Sequence, residues 1–181
     1  MINGSGPTVV GFDQTTTGVE EVEQWVAVAR QTLLEERVAR GRLDLIFVDG
    51  DEMAELNRVH MGHDGPTDVL SFPLDADQPE SIGTAEARSG TDPRPDADAA
   101  GSMGDETVPV HLGDVVVCPS VAAAQAPGHC GSIDAELSLL IIHGVLHVLG
   151  HDHGEPGERA VMQQRERHHL ARYGHDHPIP A

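Results

Sequence analysis

The stretch from residue 141 to residue 154, IIHGVLHVLGHDHG, places two histidines four residues apart in an apolar segment and supplies two more after a glycine. In a helix, His143 and His147 differ by about 40° in azimuth and about 6 Å in rise, so both rings reach toward one point. Gly150 ends that helix, and a turn there brings His153 back to the same point. Three imidazoles with one position left over are typical of a catalytic zinc, which activates water for hydrolysis. We therefore predict that His143, His147 and His153 bind one Zn2+ per chain.

The alternative is that these histidines are ordinary core residues with hydrogen-bond partners. The chain has 12 histidines in 181 residues, and a triple at spacings of four and ten arises by chance in roughly one such chain in twenty. Each imidazole left unpaired inside a buried helix costs about 1–3 kcal/mol. Because one metal ion satisfies both rings together, the context favours metal binding more strongly than the spacing does.

Capping signals and hydrophobic periodicity predict the elements that position the histidines. A helix is predicted over residues 132–149, because Ser132 can cap it, Asp134 and Glu136 lie in its first turn, and Gly150 follows its last turn. Other helices are predicted over 19–39, 49–60 and 119–126, with an amphipathic C-terminal helix that covers the sheet and carries no chemistry. Strands are predicted over 8–12, 43–48, 66–74 and 112–118. This order predicts a single domain over residues 1–181, with a mixed sheet of about four strands packed with about five helices.

The formal net charge of −19 argues against a nucleic-acid binder that relies on a basic surface. Residues 75–107 contain nine acidic side chains and two arginines, and so account for seven of the nineteen negative charges. Their composition predicts a flexible, disordered surface insertion, because so few apolar groups cannot offset the entropy of ordering. The remainder of the chain is still acidic, so any polyanion must be held by a local site such as a metal or a few arginines.

Localisation and the minor features of the chain follow from simple patterns. No charge-free apolar run approaches the ~18 residues of a membrane span, and the start MINGSGPTVV lacks a signal-peptide pattern. We therefore expect a cytoplasmic protein. Cys118 and Cys130 form no C-x-x-C pair and are expected to be small buried core residues. Residues 175–181 are expected to form a flexible tail.

Three motifs, met in the same order along the chain, carry a family resemblance. The sequence H-G-V-L-H-V-L-G-H-D-H resembles H-G-x-L-H-L-x-G-x-D-H, the signature of the YbeY family of bacterial metal-dependent hydrolases tied to ribosomal RNA maturation. GPTDVLSFP at residues 65–73 is similar to the family's strand motif, and LGDVVV at residues 112–117, with AQA at residues 124–126, to its next strand and helix. Together the quoted stretches contain 29 residues.

The resemblance implies an α+β fold and a zinc ion held by His143, His147 and His153. It also implies single-strand endoribonuclease activity in 3′-end maturation of small-subunit ribosomal RNA and in ribosome quality control. The implied partners are ribosomal RNA and the small ribosomal subunit, with no membrane and no DNA. The oligomeric state stays unknown.

Some positions near these motifs call for separate interpretation. Met61 stands where many family members have an arginine, so Arg58, one helical turn back, is a candidate phosphate contact; its alternative is a solvated surface arginine. His151 replaces a residue that is often aromatic in the family and is expected to lie near the metal or on the surface, without binding the metal. Asp152 is a candidate to hydrogen-bond a ligand imidazole and fix its tautomer, or else to stabilise the turn. Glu136, two turns before the first ligand, is a candidate for the cavity rim or for helix N-terminal electrostatics.

Two other functions fit part of the pattern. The spacing H-x-x-x-H-x-x-G-x-x-H is shared with metzincin proteases, but these need a glutamate directly after the first histidine, where this chain has Gly144. Alternatively, the metal is structural and the chain is a ribosome-associated factor with weak catalysis. A structural zinc is usually closed by four protein ligands, so His151 or a carboxylate in the fourth position would favour that interpretation.

Overall fold

The computed structural model describes residues 6–74, 110–152 and 154–175. The predicted insertion at 75–107, the predicted ligand His153 and the tail beyond His175 lie outside the described residues. The strands are β1 (Thr8–Asp13), β2 (Arg42–Phe47), β3 (Val69–Pro73) and β4 (His111–Val117). The helices are α1 (Val22–Glu35), α2 (Gly50–Met61), α3 (Pro119–Gln125), α4 (Ile133–Val148) and α5 (Pro156–Ala171), with a short 3-10 turn at Ala126–Gly128.

The four strands form one mixed sheet in the order β1-β2-β4-β3. β1, β2 and β4 are parallel neighbours, and β3 pairs antiparallel with β4 at the edge. The described residues thus form a mixed four-stranded sheet with five helices, and the predicted α+β architecture is confirmed.

The two faces of the sheet carry different helices. Alternate residues of a strand point to opposite faces, and in β3 the side chain of Leu70 packs with Met53 of α2, whereas Ser71 contacts Gly144 of α4. Helix α4 also packs on β4, α1 and α5. It is buried on almost every side, as its apolar sequence predicts, and its two histidines, His143 and His147, are only partly exposed.

Helix α5 differs from the expectation. It packs on α4 rather than on the sheet, because α4 already occupies that face. Its position is fixed by His169, which is 2% exposed and whose ring nitrogens each lie 2.8 Å from a carboxylate at the end of α1, from Glu35 and Glu36 respectively. Arg165 binds Glu36 as well. The inner face of α5 is thereby held against the histidine-bearing part of α4.

Taken alone, no helix among the described residues has both the length and the apolar character needed to cross a membrane. The segments Pro119–Gly128 and Ile133–Val148 satisfy the same test only as a pair, and they are bent by 115° at the break between them.

Candidate metal centre

The ends of α4 are set by local hydrogen bonds that the sequence predicts. The Ser132 side chain accepts a hydrogen bond from the amide of Ala135, which caps the first turn. At the other end Gly150 adopts φ 85°, a left-handed conformation that glycine tolerates without strain. Its amide donates to the carbonyl of His147, and the His151 amide donates to that of Leu146. This pair of bonds is a Schellman motif, so the chain reverses directly after His147.

His143 and His147 converge within the last two turns of α4. Their Nε2 atoms are 3.1 Å apart, and their rings meet edge to face with centroids separated by 4.6 Å. Two nitrogens bound at about 2.0–2.1 Å to one tetrahedral zinc would lie about 3.3 Å apart. The pair therefore fits a shared metal ion with an adjustment of a few tenths of an ångström, although ligation itself stays a prediction.

A carboxylate from α5 fixes the chemistry of His143. Nδ1 of His143 lies 2.7 Å from Oε1 of Glu166, a side chain that is almost completely buried. Because a carboxylate only accepts hydrogen bonds, the imidazole proton belongs on Nδ1, and in the neutral ring Nε2 carries the lone pair that faces His147. This is the tautomer that a metal ligand requires.

Sequence reasoning missed Glu166 and assigned the orienting role to Asp152. Glu166 is separated from His143 by 23 residues, and the only signal in the sequence was an acidic residue on the inner face of the C-terminal helix. Asp152 lies exposed just beyond α4. Its proposed hydrogen bond to a ligand imidazole stays a prediction, as does ligation by His153, which is outside the described residues.

Gly144, between the two histidines, lies against the sheet. A Cβ atom built there would be 2.6 Å from Cγ1 of Val115 and 3.2 Å from Oγ of Ser71. The Ser71 hydroxyl also donates to the Gly144 carbonyl at 3.2 Å. Helix α4 therefore approaches β3 and β4 so closely that no side chain fits at this position, and the spacing of His143 and His147 relative to the sheet is fixed.

Two further residues named from the sequence contact other side chains. Arg58 is on α2, which packs on the opposite face of the sheet, and its exposed guanidinium donates to Glu55 at 2.5 Å and 3.0 Å. Its contact with phosphate stays a prediction. His151 is half-buried, with Nε2 3.7 Å from Glu36. Burial and the charge of Arg165 lower the pKa of His151, so its neutral form is favoured.

Comparison with known proteins identifies relatives of this chain. Residues 11–174 match the family model described as Endoribonuclease YbeY. A protein of that name from Salinispora tropica is 45% identical over 76% of this chain and 78% of its own length. Another from Mycobacterium leprae is 42% identical over 84% of this chain and 72% of its own length. The solution structure of TM1509 from Thermotoga maritima aligns with a TM-score of 0.52 at 22% identity, over 90% of this chain and 87% of that one, a likeness that concerns the fold alone.

Proposed function

Because this chain belongs to the Endoribonuclease YbeY family of hydrolases, we propose that it is a zinc-dependent endoribonuclease. Its substrate is single-stranded ribosomal RNA, cleaved in 3′-end maturation of the small-subunit RNA and in ribosome quality control in the cytoplasm. The single observation that carries the metal-dependent part of the proposal is the convergence of the His143 and His147 Nε2 atoms at 3.1 Å, with the Nδ1 atom of His143 bonded to a buried carboxylate.

The residues of the chain have distinct tasks in this proposal. A bound zinc ion supplies Lewis-acid polarisation of the phosphoryl oxygen and an activated water. His143 and His147 hold the ion, with His153 as the third ligand. Glu166 keeps the lone pair of His143 directed at the ion and adds negative charge behind the ring, which raises the basicity of the ligand. The apolar packing of α4 shields one side of the site from bulk water.

The same geometry argues against peptide hydrolysis as the activity. A metzincin-type protease requires a glutamate at the position of Gly144. The Cβ atom alone would overlap Val115 there, so this chain has no space for the general base.

The geometry also bears on a purely structural metal, which would need a fourth protein ligand. Among the described residues, His151 and the carboxylate that contacts His143 are engaged elsewhere. His151 lies beside Glu36, and the Glu166 carboxylate contacts His143 on the ring edge opposite to Nε2. These contacts support a hydrolytic centre over a structural one.

An acidic chain must hold RNA through few contacts. Arg58 remains the proposed phosphate ligand, and it must exchange its partner Glu55 for the phosphate. Since both side chains are exposed and the ion pair lies on the surface, that exchange costs little.

The test compares cleavage of a small-subunit RNA precursor by the wild type, His147→Ala and His168→Ala. His168 is an exposed histidine of α5 and serves as the matched control. We expect His147→Ala to lose the one equivalent of zinc held at the histidine pair and to cleave more than about a hundredfold more slowly, a larger loss than the 10–100-fold typical of outer-shell partners. His168→Ala should behave as the wild type. Equal cleavage by His147→Ala would remove the metal from the mechanism, and full retention of zinc by that variant would overturn the ligand assignment.

A further inference from the structure

A second group of metal-ligating atoms lies at the opposite end of α4 from the histidine pair. His129 and Cys130 follow the 3-10 turn, and Glu136 is in the first turn of α4. Nδ1 of His129 is 3.0 Å from both carboxylate oxygens of Glu136 and 3.6 Å from Sγ of Cys130. One donor atom from each residue lies within 4.8 Å of the other two. The cluster thus brings together imidazole, thiol and carboxylate, which are the three kinds of side chain that bind zinc.

The burial of Glu136 calls for a positive partner. Glu136 is 1% exposed, which is rare for a carboxylate without compensation. The amide of Cys130 donates to it at 3.3 Å, and His129 contributes a positive charge only when protonated. When the imidazole is neutral, the Glu136 carboxylate has hydrogen bonds but no opposite charge beside it. Burying an ionised carboxylate without an opposite charge is costly.

Two of the three separations between donor atoms match a tetrahedral centre. With Zn–N at about 2.05 Å and Zn–S at about 2.3 Å, the nitrogen and sulfur of one tetrahedral zinc lie about 3.6 Å apart, and nitrogen and oxygen about 3.3 Å apart. The observed separations are 3.6 Å and 3.0 Å. We propose that His129, Cys130 and Glu136 form a second site for a thiolate-binding divalent cation of the Zn2+ class. A fourth ligand from solvent or a neighbouring group completes the shell.

A cation at this site would have to displace the proton of the Cys130 thiol. Burial and the Glu136 carboxylate raise the pKa of the Cys130 thiol to about 12, so without a cation the sulfur keeps its proton. A divalent cation displaces that proton and neutralises the carboxylate at the same time, because ligating thiols are deprotonated outright. Cys130 was expected from the sequence to be a core residue like Cys118. Cys118 is buried, whereas Cys130 is only partly buried and belongs to this cluster.

Another cluster of possible ligands, on the sheet, is a weaker candidate. Asp44, His111 and Asp114 come together on neighbouring strands. However, Arg42 binds Asp44 through two hydrogen bonds, at 2.7 Å and 2.9 Å. A cation would have to compete with this guanidinium, and the cluster lacks a thiolate. It therefore provides a control rather than a second proposal.

The site is separate from the histidine pair. Glu136 precedes His143 by two turns on the same helical face, and at 1.5 Å per residue their backbones are about 10 Å apart. Metal ions that cooperate in catalysis lie about 3.5–4 Å apart. The second cation would therefore act structurally, by tying the loop before α4 to the first turn of the helix.

Cobalt(II) titration of the full chain tests the proposal, because only a sulfur ligand gives a thiolate-to-cobalt charge-transfer band. The chain has two cysteines, so Cys118→Ser is the matched control for Cys130→Ser. We expect the band in the wild type and in Cys118→Ser. Cys130→Ser should lack the band and should bind one equivalent of metal fewer than the wild type. Absence of the band from the wild type, or its persistence in Cys130→Ser, would overturn the proposal.

Two further measurements keep the test decisive if a cysteine variant misfolds. X-ray absorption of the zinc-loaded wild type should contain a sulfur shell near about 2.3 Å, and a spectrum with nitrogen and oxygen shells only would refute the site. Glu136→Gln should weaken cobalt binding at the sulfur-containing site by at least about tenfold, whereas Asp114→Asn should leave it unchanged. The sulfur signal does not depend on RNA cleavage or on the histidine pair, so failure of either proposal leaves the other standing.

Discussion

The hydrogen bond from His143 to Glu166 makes the sharpest prediction about the histidine centre. Glu166→Ala removes the acceptor that lies 2.7 Å from Nδ1 of a ring that is only 27% exposed. Losing an outer-shell partner of this kind typically lowers metal affinity or activity by about 10–100-fold, equivalent to about 1.4–2.7 kcal/mol. Glu166→Gln keeps an oxygen that accepts the Nδ1 proton but removes the negative charge. We therefore expect Glu166→Gln to lie near the lower end of that range and Glu166→Ala near the upper end.

Competition titration against a chromophoric chelator measures zinc affinity, and single-turnover cleavage of the RNA precursor measures the chemical step. Gln164→Ala, an exposed residue on the same helix, controls for changes in α5 itself. A role limited to packing would lower the melting temperature of both Glu166 variants in chelator without separating their zinc affinities. The reasoning is wrong if Glu166→Ala, Glu166→Gln and Gln164→Ala all bind zinc and cleave as the wild type does.

Three further predictions concern the elements around the centre and the charge of the chain. Gly144→Ala should lower the free energy of unfolding, measured in urea, by about 1–2 kcal/mol, because its Cβ meets Val115. The control is Gly157→Ala on α5, where no atom lies within 4 Å of a built Cβ, and it should be neutral or stabilising by up to about 1 kcal/mol. Equal effects of the two substitutions would contradict the close approach of α4 to the sheet. Burial raises the pKa of Glu35, but its hydrogen bonds and the charge of Arg172 outweigh burial and lower this pKa below its ordinary value of 4.5. The ionised carboxylate therefore stabilises the fold above pH 4.5, and this stabilisation is lost as the pH falls through the lowered pKa of the folded state. Urea titration should therefore show that Glu35→Gln has a free energy of unfolding about 1–3 kcal/mol lower than the wild type at pH 7. This difference should shrink at pH 4, and a difference independent of pH would exclude the ionic contribution. Finally, filter binding at several salt concentrations should give a plot of the logarithm of the RNA association constant against the logarithm of the salt concentration with a slope shallower than about −3. Such a slope is expected for about four phosphate contacts or fewer. A slope near −6 would refute binding through a local site.

Features of the histidine centre that arise from neighbouring residues were predictable from the sequence. Ser132 caps α4 and Gly150 ends it in a left-handed conformation, as predicted, because both effects involve backbone groups within one turn. The spacing of four residues between His143 and His147 then determines that their rings share a helical face. The same local reasoning predicted the strands to within a few residues, and a mixed sheet followed from their alternation with helices.

Contacts between residues distant in sequence were not predictable in this way. Glu166 reaches His143 only because His169, one turn further along α5, is held by Glu35 and Glu36 at the end of α1. No periodicity in α5 distinguishes a helix that covers the sheet from one that covers α4, since both require a single apolar face. The correct choice depended on α4 already filling that face of the sheet, which is a property of the whole fold.

The burial of Glu136 and Glu166 provides the last step of the argument about α4. Each is a carboxylate almost removed from solvent, and each contacts a histidine ring at Nδ1, but the two rings differ in what their contacts allow. In His143 the carboxylate occupies Nδ1 and leaves Nε2 to face His147, so the glutamate orients a ligand. In His129 the carboxylate and the Cys130 thiol both lie beside the same Nδ1, so the glutamate is itself placed as a ligand. Metal bound at the first turn of α4 should therefore change the thermal stability of the fold, whereas metal bound at the last turn should change its chemistry.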